Sequence, residues 1–173
     1  MTKLTFLLIL FLSVFLPLSA QISPENISDR MQEIDEYILS EEYNEALAIC
    51  LELLNAGTDN PNLDFKTGFC YLNTIDEKDK ALPLLKKASF HISKDYNAEN
   101  LMEERAPLET LLYLGDAYRT INNFEEAIRN YKKYAQEATS INAEAQAISQ
   151  KRIKESQISK VLQSQPVGIE WNI

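Results

Sequence analysis

Histidine, cysteine and glycine are scarce in this sequence of 173 residues, which contains one His, two Cys and four Gly. A single histidine, His91, cannot supply a metal cluster or a catalytic relay without partners, and no Cys or paired Asp stands beside it. No Ser lies in a glycine-flanked turn, and no glycine-rich loop is available to hold phosphate. We therefore predict a protein that is not an enzyme and that uses no metal or cofactor.

Positively charged residues are also few, because the sequence contains 17 Lys and Arg but 26 Asp and Glu, which gives a net charge of −9. An acidic chain repels the phosphates of nucleic acids and of anionic membrane surfaces. Nucleic acid is therefore not expected as a partner.

The longest apolar run lies at the amino terminus. Lys3 precedes an almost unbroken series of Leu, Ile, Phe and Val, and small residues follow at Ser19 and Ala20. This layout predicts a secretory signal peptide over residues 1–20, hence an exported protein. The alternative is a retained membrane anchor, but the run is shorter than the roughly 20 residues of a spanning helix. No membrane span is expected once the signal is removed.

The remaining sequence shows apolar residues at spacings of three and four, which predicts an all-α fold. One stretch is more specific: Leu111 is followed by Gly115, Tyr118, Ala127 and Tyr131. A glycine in a helix allows a second helix to approach closely, and the small Ala127 suits the same contact. We therefore expect two helices here, packed against each other across Gly115 and Ala127.

Earlier copies of this spacing precede it. Tyr37, Tyr71 and Tyr118 are equivalent, 34 and then 47 residues apart, and Gly68 matches Gly115. About 13 extra residues therefore lie between the second and third copies, within residues 90–107. A stripe of Ala145, Ile148, Ile153, Val161 and Leu162 predicts a further helix that caps the last copy.

This pattern resembles the tetratricopeptide repeat (TPR), a helix pair that repeats every 34 residues. The resemblance implies a solenoid of antiparallel helix pairs over residues 24–162. Its expected parts are repeats at about 27–57, 61–92 and 107–139, a capping helix at about 141–162, and a tail over residues 163–173.

A narrower resemblance rests on residues 106–109, 113–118, 123–128 and 162–170. They look like the TPR module of Gram-negative envelope proteins that continue into a TolB-like β-propeller and an OmpA-like domain. The resemblance implies a scaffold in the periplasm, with outer-membrane association or secretion as alternatives. Since the sequence stops three residues later, we expect either a free-standing relative or a truncated product.

In a TPR stack the first helix of each pair lines a concave groove that holds a protein or peptide partner. The resemblance therefore implies an envelope protein as the partner. The alternatives are a ligand-free structural spacer, a truncated remnant, or a groove filled by residues 90–107 or by the tail. The implied groove positions are Met31, Asp35, Phe65, Phe69, Leu72, Leu112, Tyr113, Asp116 and Arg119.

The two cysteines, Cys50 and Cys70, fall on adjacent helices of the expected stack. Two interpretations stay open at this point. They are either two small buried side chains or a disulfide that joins the first repeat to the second, which an oxidising compartment would allow.

Overall fold

A computed structural model describes residues 24–138 and 143–165 of the chain. The all-α prediction is confirmed for these residues, which form seven α-helices and two 3-10 turns, Lys78–Lys80 and Ser89–His91. The predicted signal peptide, residues 139–142 and residues 166–173 of the tail lie outside the described residues. The helices are α1 Pro24–Leu39, α2 Tyr43–Asn55, α3 Pro61–Asn73, α4 Ala81–Ala88, α5 Thr110–Thr120, α6 Phe124–Ala138 and α7 Ala143–Ser164.

Each helix packs against the next helix along the chain, from α1 to α7. In addition, α1 contacts α3 and α3 contacts α5, so these three odd-numbered helices also lie side by side. Apolar side chains are buried in three clusters, one on α1, α2 and α3, one on α3, α4 and α5, and one mainly on α5, α6 and α7. The core is therefore a series of neighbouring layers, and α3 and α5 each contribute to two of them.

The turn within each helix pair has the same backbone feature. Glu41, Glu77 and Asn122 adopt left-handed φ angles of 61°, 60° and 59° in the turns before α2, α4 and α6. Such angles are uncommon outside glycine. In the turns before α2 and α6, the next backbone amide donates a hydrogen bond to the carbonyl five residues earlier. Glu42 donates to Tyr37 at 2.9 Å, and Asn123 donates to Tyr118 at 2.9 Å.

The two helical glycines lie where paired helices touch. A Cβ atom added to Gly115 would stand 2.3 Å from Cε1 of Tyr131, and one added to Gly68 would stand 2.6 Å from Cγ of Leu85. Both distances are far below van der Waals contact, so α5 and α6, like α3 and α4, are as close as they are because glycine has no side chain. Ala127 is fully buried in the α5–α6 contact, at 0% exposure.

The buried stripe of α7 differs from the one predicted. Of the predicted residues, Ala145 is buried and Ile148 and Ile153 pack partly buried against the cluster on α5, α6 and α7, but Val161 and Leu162 are 55% and 62% exposed. Ser149 and Ser156, which were not predicted, are buried as well. Small side chains allow α7 to lie close to α6. Both buried hydroxyls donate to the carbonyl four residues back, at 2.8 Å, and so need no other partner.

Candidate partner-binding groove

The surface of interest runs across α3, α5 and α7. We call it the groove and define it by seven partly exposed side chains: Phe65, Phe69, Leu72, Tyr113, Asp116, Arg119 and Arg152. It contains a cavity of about 520 Å³ that lies between Leu72 and Tyr113 on one side and Arg152 and Ser159 of α7 on the other. Six of these residues were predicted groove positions, and the structure brings them to one surface.

Equivalent positions join each odd-numbered helix to the next one. Asp35 pairs with Lys66 between α1 and α3, the Phe69 ring contacts the Tyr113 ring between α3 and α5, and Asp116 pairs with Arg152 between α5 and α7. Asp35, Phe69 and Asp116 are 34 and 47 residues apart, the same steps that separate the repeated tyrosines. A contact from the same repeat position therefore recurs three times along the stack. It is an ion pair between α1 and α3, an aromatic pair between α3 and α5, and an ion pair between α5 and α7.

The middle of the groove is an aromatic cluster of four rings: Tyr43, Phe65, Phe69 and Tyr113. The Phe69 ring centre lies 4.7 Å from that of Tyr113, 5.8 Å from that of Tyr43 and 6.3 Å from that of Phe65. These separations are typical of favourable edge and offset contacts. All four side chains stay partly exposed, so the cluster offers an apolar surface to a ligand.

The four rings differ in how much they support the fold. Phe65 and Tyr113 also pack against the buried cluster on α3, α4 and α5. Phe69 and Tyr43 belong to none of the buried clusters, and their ring contacts are within the aromatic cluster. Phe69 and Tyr43 are therefore the rings that the buried core needs least, and Phe69 joins the other three rings of the cluster.

The α7 side of the groove is charged. Tyr131 donates its hydroxyl to Oδ1 of Asp116 at 2.7 Å, and Arg119 pairs with Glu155 at 3.1 Å. Burial raises the pKa of Asp116, although the neighbouring Arg152 and the Tyr131 hydroxyl oppose that rise. Burial and the carboxylate of Asp116 raise the pKa of Tyr131 as well. These charges join α5 to α7 and close one side of the cavity.

Two predicted groove residues are not on the surface. Leu112 is 4% exposed and belongs to the buried cluster that includes Ala145 of α7, and Met31 is 1% exposed in the cluster on α1, α2 and α3. Both occupy the repeat position of Phe65. The prediction was wrong for them because neighbouring elements cover that position in α1 and α5, whereas in α3 it stays partly open.

Two residues of this surface were not predicted. Tyr43 comes from the first position of α2, and Arg152 comes from the helix expected only to cap the stack. Tyr43 follows two charged residues, Glu41 and Glu42, and this local sequence does not indicate that its side chain lies on the groove. Nothing in the sequence singled out Arg152 among the polar residues of α7.

The insertion between α4 and α5 lies at one end of the groove. Its ends are joined by a parallel bridge between Ile92 and Ala106. Its interior reaches the start of α3, where the Tyr96 hydroxyl donates to Oδ1 of Asn62 at 3.1 Å and Asn60 donates to the carbonyl of Glu103 at 3.2 Å. The insertion thus meets the first turn of α3 and leaves the four rings partly exposed.

Cys50 and Cys70 are both fully buried free thiols in the cluster on α1, α2 and α3. Hydrogen bonding to Cys50, together with burial, raises the pKa of the Cys70 thiol. The two side chains are therefore neighbours between α2 and α3, and both interpretations of the pair stay predictions.

Within the described part of the chain, no group of three His, Cys, Asp or Glu side chains is placed to hold a metal ion. His91 is an exposed residue at the end of the second 3-10 turn.

No helix between residues 24 and 138 or between 143 and 165 is both long and apolar enough to cross a bilayer.

The chain matches no protein-family model, no curated protein and no solved structure.

Proposed function

We propose that this chain is a TPR-type scaffold that binds a segment of another protein in the groove and does so in the bacterial cell envelope. The contacts between successive helices, the contacts of α1 with α3 and of α3 with α5, and the ion pairs between α5 and α7 support the solenoid. The close approach at Gly68 and Gly115 supports the TPR pairing of α3 with α4 and of α5 with α6. The recurring contact between odd-numbered helices supports the equivalence of the repeats.

The observation that carries the binding proposal is the aromatic cluster. Four partly exposed rings meet between α3 and α5, and Phe69 lies outside all three buried clusters. Exposed apolar surface that the core does not need usually marks a contact site. Aromatic side chains also dominate the binding energy of protein interfaces. A protein segment with apolar anchors fits this surface best.

A photocrosslinking residue at position 69 tests the proposal in envelope preparations. We expect a defined partner to be crosslinked from position 69 and not from position 90, where the exposed Phe90 ring, 76% accessible, lies outside the groove. With that partner purified, Phe69→Ala should weaken binding at least about fivefold, and Phe90→Ala should not. Equal crosslinking from both positions would favour the ligand-free spacer, and unchanged affinity in Phe69→Ala would show that the partner binds outside the groove.

Export is proposed from residues 1–20 and has its own test. We expect the protein recovered from the envelope to begin at Gln21. Mass spectrometry of its amino terminus measures this directly, and an intact Met1 in the membrane fraction would contradict export by a cleaved signal.

A further inference from the structure

We propose that copies of this chain associate head to tail, with the outer face of α7 in one copy packed in parallel against the outer face of α1 in the next. These helices form the two ends of the series of contacts: α1 packs against α2 and α3, and α7 packs against α6 and pairs with α5. Each copy then continues the stack of the copy before it. The inference concerns surfaces outside the groove and does not depend on what binds there.

The outer face of α7 is the side turned away from α6. It consists of five exposed residues: Lys151, Lys154, Ile158, Val161 and Leu162. At 3.6 residues per turn they share roughly a third of the helix circumference, opposite the buried stripe. Three of them are large and apolar, although the last element of a helical stack usually presents a polar outer surface. An apolar row in this position is typical of a surface that packs against a further helix.

The outer face of α1 is the side opposite its buried residues Met31 and Ile34. It consists of four exposed residues: Asp29, Gln32, Glu36 and Leu39. The two charged residues of this face are acidic, and the apolar Leu39, 85% exposed, lies at the carboxyl end of the helix. The first helix of the stack therefore has an acidic outer face that ends in an apolar residue.

The two outer faces match in spacing. Counted from Asp29, the residues of α1 lie at steps of three, seven and ten, and Lys154, Ile158 and Val161 lie at the same steps from Lys151. In a parallel contact Asp29 thus faces Lys151, and Leu39 faces Val161. An antiparallel contact would instead place Leu39 against the lysines.

The two outer faces also match in charge. Glu36 lies within one helical turn of the position that faces Lys154, so both acids of α1 can reach a lysine of α7. Within residues 24–138 and 143–165, Asp29, Lys151 and Lys154 have no ion-pair partner. Their charges are therefore available to a second copy, and opposite charges with adjacent apolar side chains favour one partner and one orientation.

The association is open-ended because the two faces are different. A contact between unlike faces leaves one face of each kind free at the ends of the assembly, so further copies can add. The contact is small, since it involves one helix of each copy. Interfaces at the low end of the size range are weak, and we expect a dissociation constant of about 0.1–1 mM.

Sedimentation equilibrium of the purified chain tests this contact. As the concentration rises to about 1 mM, near the expected dissociation constant, the average mass should increase past that of a dimer. Two variants reverse the charges of one face each: Lys151→Glu with Lys154→Glu on α7, and Asp29→Lys with Glu36→Lys on α1. Each variant alone should associate at least about tenfold more weakly, because repulsion replaces attraction at two positions. An equimolar mixture should recover the association, because the glutamates of one variant face the lysines of the other.

The matched control is Lys132→Glu with Lys133→Glu, which changes the net charge as much as the α7 variant does but replaces two exposed residues of α6. It should associate as the unchanged chain does. Every replaced residue is exposed, so all variants should keep their thermal unfolding temperature. The inference is overturned by a chain that stays monomeric at about 1 mM, by a mass that levels off at a dimer, or by a mixture that associates no better than its two components.

Discussion

Gly115→Ala tests the contact between α5 and α6 most directly. The added Cβ would lie 2.3, 2.6 and 2.8 Å from three atoms of the Tyr131 ring, whereas ordinary contact begins at 3.4 Å. The ring or the helix must therefore retreat by about 1 Å. Tyr131 is 0% exposed, and its hydroxyl donates to Asp116 at 2.7 Å, so the ring has little freedom to move.

Two terms of opposite sign decide the outcome. Ala is better than Gly inside a helix by about 1 kcal/mol, while overpacking a buried site costs about 1–3 kcal/mol. Because the clash involves a fully buried ring, we expect the cost to be near the upper end. The net loss should be about 1–2 kcal/mol, or a decrease in Tm of about 2–8 °C for a domain of this size.

A double-mutant cycle separates the clash from helix propensity. With Tyr131→Leu the ring is gone, so adding Gly115→Ala to that variant should be neutral or stabilising by up to about 1 kcal/mol. Thermal and urea unfolding measure all four proteins. If Gly115→Ala stabilises the chain that retains Tyr131, the close contact of α5 with α6 is wrong and the pairing derived from it fails.

Three further substitutions test other contacts. Ala127→Glu places a charge at a position with 0% exposure and should cost several kcal/mol, measured by thermal unfolding. Lys87→Met removes the ammonium that lies 2.9 Å from the buried Asp64, whose pKa burial already raises; the loss should be about 1–3 kcal/mol in urea unfolding. Hydrogen bonds from Arg105 lower the pKa of Glu103 to about 2, below the unfolded value of about 4.3. The stability that this carboxylate adds is therefore complete above about pH 4.3 and lost towards pH 2, so the advantage of the unchanged chain over Glu103→Gln in unfolding should disappear in that range.

Each of these three has a matched control at an exposed neighbour on the same segment: Lys132→Glu, Lys86→Met and Glu104→Gln. All three controls should change stability by less than about 0.5 kcal/mol. A control that costs as much as its partner would show that burial or pairing at the tested position is not the cause of the loss.

The local pattern of the sequence was sufficient for the helical class and for the contact of α5 with α6. Apolar spacings of three and four identify a helix face, and Gly115 with Ala127 identifies where a neighbouring helix comes close. Both signals are local in the chain, which is why they can be read without a structure. The groove positions, Phe69 and Asp116 among them, followed from the resemblance to the tetratricopeptide repeat and not from the local pattern.

Which side chains of that face are covered was decided only by the tertiary structure. Phe65, Met31 and Leu112 occupy one repeat position, yet only Phe65 stays partly exposed. The helical period indicates the direction in which a side chain points, but the exposure of that side chain depends on elements that are distant in sequence. Here the elements that pack against α1 and α5 bury Met31 and Leu112, whereas those that pack against α3 leave Phe65 partly exposed. Arg152 shows the same rule in reverse: its helix looked polar and solvated, and only packing against α5 joins it to Asp116.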